Sequence, residues 1–183
     1  MLKTIVEGCE PTKGSKYSAC IDLRASKDVT IAAGETKIVP LGVVIDHENL
    51  IHNLQKSDQR ITWFPTYVEE FKSKHYLQLM IRSSIAAKGV VIPNGVGIID
   101  MDFENEIGII LHNPITEHTI TWWIDRIASM LGIDTNFNRD NTANTLIKKG
   151  DKIAQITLTE HKSFLFGIET DTERTGGFGS TGK

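Results

Sequence analysis

Residues 90–99, Val90-Val91-Ile92-Pro93-Asn94-Gly95-Val96-Gly97-Ile98-Ile99, place two β-branched runs on either side of a Pro-Asn-Gly turn. Asn-Gly between such runs is the strongest short-range hairpin signal, because both residues tolerate the positive φ angles of a tight turn. The same pattern of short apolar run and turn extends outward. Val29 to Ala32 precedes a turn at Ala33-Gly34-Glu35. Lys37 to Ile45, Tyr76 to Ile81, Ile107 to Leu111, Lys152 to Leu158 and Phe164 to Ile168 read as further strands. Many short strands with few long helical patterns predict an all-β barrel or sandwich in a single domain spanning residues 1–183.

Two segments interrupt this rhythm, about 47–75 and about 114–148, and both are long for connections in a compact β-domain. In the first, Thr66 and Glu69 stand at capping-box spacing after Pro65, which predicts a short helix over Tyr67 to Phe71. In the second, Trp123, Ile124, Ile127, Met130 and Leu131 recur at helical spacing and Gly132 follows as a stop. The Asn-, Asp- and Thr-rich stretch from Asp134 to Thr145 reads as loop.

Bulk composition narrows the function. With 40% hydrophobic and 23% charged residues the chain is a soluble globular type. A net charge of −3 and the lack of a basic stripe argue against nucleic acid as a partner. No apolar run reaches the roughly 20 residues of a membrane span, and none resembles a signal peptide. Cys9 and Cys20 match no zinc spacing or disulfide framework, so a reduced, cytoplasmic setting is expected.

Several runs carry chemistry. The tail, Gly176 to Lys183, matches the first seven positions of a phosphate-binding P-loop from Gly177 onward, but the hydroxyl residue and helix that a P-loop requires do not follow Lys183. Its glycines let backbone N–H groups approach an anion, Ser180 and Thr181 add hydroxyls, Arg174 and Lys183 add charge, and Phe178 offers a stacking face. A frayed end is the alternative. Arg82-Ser83-Ser84 at a strand end can grip phosphate oxygens or simply terminate a strand. Strand alternation puts Asp100 and Asp102 on one side and Ile99, Met101 and Phe103 on the other. A carboxylate so placed can activate a water, bind a metal or face solvent. Gly150-Asp151-Lys152 reads as a turn entering a strand that carries Gln155.

The order of these runs is more specific than any one of them. Ser18-Ala19-Cys20-Ile21-Asp22-Leu23-Arg24-Ala25, Arg82-Ser83-Ser84, Gly97-Ile98-Ile99-Asp100-Met101-Asp102-Phe103, Gly150 to Gln155 and Gly176 to Gly182 resemble, in order, the five motifs of the trimeric dUTPases. The resemblance implies a jelly-roll-like barrel, a homotrimer with sites between chains, and hydrolysis of dUTP to dUMP and pyrophosphate. It implies Asp100 as the base that activates water against the α-phosphorus. It implies Arg82, Ser83, Ser84 and Gln155 on the phosphates, and Asn94, Gly97, Ile98, Ile99 and Gly108 where the uracil is read by backbone groups of a hairpin. Phe103 would pack under the sugar and exclude a 2′-hydroxyl. From a mobile tail (171–183), Phe178 would stack on uracil while Arg174, Gly179, Ser180 and Thr181 close over the γ-phosphate. Mg2+ would be held by the phosphates and not directly by the protein, with Asp22 organising its surroundings.

The departures are local. Phe103 stands where the family usually has Tyr, Cys20 and Asn105 replace glycines, and Arg174 lies one residue closer to Gly176 than the pattern. The related dCTP deaminases are disfavoured, because the positions of their catalytic Glu and Arg are Ile110 and Ala87 here. A second alternative is a regulatory protein of the same fold that binds a partner protein through the two insertions. The resemblance does not distinguish a cellular from a viral source, and in the latter case the setting is the host cytoplasm.

Overall fold

The computed structural model describes residues 1–57, 65–114, 126–133, 144–168, 170 and 176. Strands are β1 (Leu2–Thr4), β2 (Thr12–Lys13), β3 (Ile21–Arg24), β4 (Val29–Ile31), β5 (Thr36–Pro40), β6 (Val43–Ile45), β7 (His75–Ile81), β8 (Gly97–Asp100), β9 (Gly108–His112), β10 (Thr145–Ile147) and β11 (Lys152–Glu160). Helices include α1 (His47–Ser57), α2 (Pro65–Lys74) and α3 (Ser83–Ala86), with a 3-10 turn at Ser163–Phe166 and a short helix over residues 126–130. The expectation of a β-rich fold is met.

Every strand pairing is antiparallel. The main sheet runs β2-β3-β11-β7-β8, and β1-β6, β4-β10 and β5-β9 form three two-stranded ladders. Backbone hydrogen bonds knit these pieces at their corners, for example Ala25 N–H to Asp151 O, Ser26 N–H to Pro40 O and Leu41 N–H to Ile107 O. The core they enclose includes Leu23, Ile31, Leu77, Leu79, Ile109 and Ile153. At its edge the buried Asn113 amide donates to Ile31 O at 3.1 Å, so that this polar group enters the core with its hydrogen bond made.

Alternation explains most of the pattern and bulges explain the exceptions. In β11 the consecutive residues Ile153 and Ala154 are both buried, and the register against β3 shifts between Lys152 and Ala154. A bulge turns two neighbouring side chains toward one face. The expected run Lys37 to Ile45 divides into β5 and β6 at Gly42. Gly42 has φ +68°, and a Cβ there would lie 2.7 Å from Cys9 Cβ, so the corner requires glycine. Burial pushes the Cys9 thiol up, and Cys9 and Cys20 are both free.

Three expectations are corrected and one is extended. The Pro93-Asn94-Gly95 turn forms, with Gly95 at φ +74°, but its flanks do not pair with each other: β8 pairs with β7, and Val91 bridges to His112. Phe164 to Ile168 is not a strand; the chain makes a 3-10 turn closed by Gly167 at φ +65°. The expected helix over Tyr67 to Phe71 forms but is longer and is preceded by α1; it begins at Pro65, whose fixed φ and missing N–H suit a first helical position. Thr66 thus sits inside the first turn, not at the cap. The segment of about 114–148 is not all insertion, since Thr145–Ile147 is strand β10 paired with β4. Residues 126–130 are helical, as expected. That helix ends at Gly132, at φ +68°, with Ile133 N–H on Ala128 O and Gly132 N–H on Ser129 O, a Schellman cap. Trp122, Trp123 and Ile124 lie outside the described residues. No helix among the described residues is long and apolar enough to cross a membrane.

Candidate active site

Arg82 with its neighbours and Asp100 lie at opposite ends of the main sheet, with Gly97 and Ile98 between them along β8 and Gly108 in another sheet. The Arg82 group lies where β7 ends. Arg82 follows Ile81 and forms the N-cap of α3, so Ser83 and Ser84 open that helix and are exposed. On the neighbouring strand Gln155 is opposite both Met80 and Asp22, which brings the second, fourth and first motifs side by side. Asp22 is buried and holds two cations: Arg82 Nε donates to its Oδ1 at 2.9 Å, and Lys152 Nζ donates to its Oδ2 at 3.1 Å. Arg82 Nη1 also reaches Lys152 O at 3.5 Å. Fixing the guanidinium through Nε leaves Nη2, together with the lysine ammonium, to face an anion.

The turn that delivers Lys152 is built by its own sequence. Gly150 takes φ +88°, Lys148 N–H donates to Asp151 Oδ2 at 2.9 Å, and Arg24 Nη1 donates to Gly150 O at 2.9 Å. Lys152 was not singled out from the sequence. Its signal is position: a residue beside a β-bulge is re-aimed toward a neighbouring strand.

The second group lies at the far end of β8. Asp100 is exposed at the strand terminus and Asp102 is exposed beyond it, whereas Ile99, Met101 and Phe103 are buried. This is the alternation expected from the sequence. The chain then turns, with Phe103 N–H on Asp100 O at 3.1 Å, and crosses to β9 in a different sheet. Gly97 and Ile98 lie along β8, and a Cβ on Gly97 would sit 3.1 Å from Leu79 Cβ. Gly108 opens β9 opposite Pro40. Thus β8 is laddered to β7 and β9 to β5, and the chain passes from one to the other through the 101–107 corner. Asn94 is exposed in the turn before β8. Arg174, Phe178, Gly179, Ser180 and Thr181 lie outside the described residues.

The spacing between the groups is decisive. Asp100 is in register with Tyr76, and Arg82 stands six positions farther along the adjoining strand. At about 3.3 Å per residue that is about 20 Å, beyond the reach of an extended side chain. One chain therefore does not bring its own Asp100 and Arg82 to the same phosphate.

The dUTPase family model matches residues 65–145. The deoxyuridine 5′-triphosphate nucleotidohydrolase of Rickettsia akari (strain Hartford) is 30% identical over 182 residues, covering 96% of this chain and 89% of the relative. The chain belongs to the dUTPase family. The nucleotidohydrolase of the same name from Mus musculus is 31% identical over 94% of this chain and 78% of its own length. Among solved structures, the dUTPase of phage phi11 of S. aureus has a TM-score of 0.57 at 16% identity, covering 98% of this chain and 97% of that one, which shows a shared fold. A mutant of that phage dUTPase coordinates a structural Mg(II) ion. Among the described residues of this dUTPase-family chain, no three His, Cys, Asp or Glu side chains cluster as a metal cage.

Proposed function

We propose that this chain hydrolyses dUTP to dUMP and pyrophosphate, and that Asp100 activates the water that attacks the α-phosphorus. The carrying observation is the display of Asp100: an exposed carboxylate at a strand end, flanked by Ile99 and Met101 that are anchored in the core. Such a group can approach a substrate without moving the strand. Arg82, Ser83, Ser84 and Gln155, with Lys152 beside them, form the phosphate-binding half. Phe103, buried behind the Asp100 turn, would back the sugar from below, and Asn94, Gly97, Ile98, Ile99 and Gly108 would lie toward the base. Arg174 and Phe178 to Thr181 act as the closing tail.

The separation of about 20 Å between the two halves supports a homotrimer in which Asp100 of one chain serves the phosphate grip of another. The protein donor set fits a Mg2+ carried by the triphosphate, since that ion favours phosphate and water oxygens over a dedicated protein cage. When bound, it would neutralise charge on the phosphates. Asp22, with lone pairs left after its two ion pairs, would accept hydrogen bonds from its waters.

Two measurements test this reading. Pyrophosphate release should be far faster from dUTP than from dTTP, dCTP or UTP. Asp100→Asn should lower kcat by 10²-fold or more while nucleotide binding stays within a few-fold, the pattern of a group needed only in the transition state. Wild-type turnover in that variant would remove Asp100 as the base, and equal release from dCTP would remove the specificity.

A further inference from the structure

The imidazole of His47, the first residue of α1, lies against the turn that follows Asp100: its Nε2 is 2.7 Å from Met101 O. A carbonyl oxygen only accepts, so Nε2 carries the proton and donates. We propose that His47 is a positioning residue for Asp100, by which the first insertion sets the geometry of the catalytic turn. This rests on the assignment of Asp100 as the base.

The acceptor is what makes the contact informative. Asp100 to Phe103 is a β-turn closed by Phe103 N–H on Asp100 O at 3.1 Å. Its central peptide joins Met101 to Asp102. Rotation of the central peptide is what separates turn types I and II, so it is the soft coordinate of such a turn. The side chains of Met101 and Phe103, the second and last residues of the turn, are held in the core, at 2% and 5% exposure. Neither holds the carbonyl between them. His47 does.

The donor is itself held rigidly. Asp46 caps α1, its Oδ1 accepting from Asn49 N–H at 3.0 Å, and Asp46 N–H donates to Met1 O at 2.7 Å. Ile45 and Leu50, one residue before the cap and four after it, are both in the core, as in a hydrophobic staple. The helix thus enters at a fixed angle and presents His47 at one place. The resemblance to the family motifs did not include this residue, since it lies in an insertion.

The test uses the full-length protein and dUTP. His47→Leu removes the donor. His47→Asn keeps an amide that ends too short to reach. His47→Gln places an amide nitrogen at the same number of bonds from Cβ as Nε2. Small errors in placing a catalytic group cost large factors in rate, so the Leu and Asn variants should lose about tenfold or more in kcat with KM within about twofold. His47→Gln should recover to within about threefold of wild type, and secondary structure and oligomeric state should be unchanged in all three. Wild-type kcat in the Leu and Asn variants, a loss confined to KM, or no recovery in the Gln variant would each overturn the proposal. If the Leu variant does not fold, the Asn variant decides; unfolding of both would make the contact a stability element and also overturn it. Asp100→Asn assayed in parallel separates the two readings. An inactive Asp100→Asn with a fully active His47→Leu refutes only the positioning role, whereas an active Asp100→Asn refutes the base and the positioning role together.

Discussion

Both carboxylate oxygens of Asp22 are engaged, Oδ1 by Arg82 and Oδ2 by Lys152, and all three side chains come from different strands or strand ends. Asp22→Asn keeps the size and one acceptor but turns an amide NH2 toward a cation. One of the two cations then loses its partner. Arg82 and Lys152 are each about one-third exposed, at 31%, so water takes up part of the loss. The expected cost in stability is about 1–2 kcal/mol, read as a lower urea midpoint with an unchanged slope. The larger effect should be functional. Whichever cation faces the amide NH2, the charge that holds Arg82 and Lys152 together is gone, and kcat/KM for dUTP should fall by about tenfold or more, as expected when charge-assisted contacts lose their geometry. An Asp22→Asn enzyme with wild-type kcat/KM would show that the guanidinium is aimed without this carboxylate. At this scale the sequence was partly legible. Asp22, Arg82 and Gln155 stand out as residue types in motifs, but their adjacency depends on a strand order that follows no sequence neighbour. The place of Lys152 beside Asp22 depends on the same strand order.

The helix α1 was missed from the sequence, although the signals for its start are present. Asp46 is a good N-cap, Asn49 stands three residues on, and Ile45 and Leu50 are spaced as a staple. They are easily passed over because a capping box is usually sought as Ser or Thr with Glu or Gln. The cap gives a prediction with a defined pH dependence. The Asp46 carboxyl is held below its ordinary value of 3.8, chiefly by the Asn49 backbone N–H. A carboxyl depressed on folding adds stability above its unfolded pKa and loses it as the pH falls through the folded value. Asp46→Ala should therefore melt earlier than wild type at neutral pH. The gap should narrow as the pH is taken below 3.8 and close once Asp46 is protonated in both states. Thermal unfolding from pH 7 to the acid limit checks this, and a gap that widened with acid would contradict the sign. The other misread elements share a cause. Phe164 to Ile168 is apolar enough for a strand, but Gly167 closes a 3-10 turn there, and Pro93-Asn94-Gly95 makes its turn between partners that lie elsewhere. Turn chemistry states where a chain bends, not which strand it then joins.

Across the whole molecule, the question is whether one chain can hold a complete site. The β7–β8 register puts Asp100 at the Tyr76 end and Arg82 past the Ile81 end, and no rotamer closes about 20 Å. This separation was not visible in the sequence, where the two motifs are only 18 positions apart and look adjacent. If a site takes Asp100 from one chain and Arg82 from its neighbour around a three-fold ring, two dead variants should rescue each other. Asp100→Asn chains retain Arg82, and Arg82→Ala chains retain Asp100. When equal amounts are unfolded together and refolded, a site has both residues intact if an Arg82→Ala chain supplies the base and an Asp100→Asn chain supplies the grip. With random assembly each condition is met half the time, so about a quarter of the sites recover in a cyclic assembly with heterologous interfaces. The recovered sites should show the wild-type KM, since each contains only wild-type groups, and activity should appear only after subunits exchange. A complete site within each chain predicts no recovery at any mixing ratio, because every chain then carries its own lesion. Mixing without refolding is the control: if activity rises only after exchange, the barrel's geometry, not a change in either variant, is what divides the site between chains.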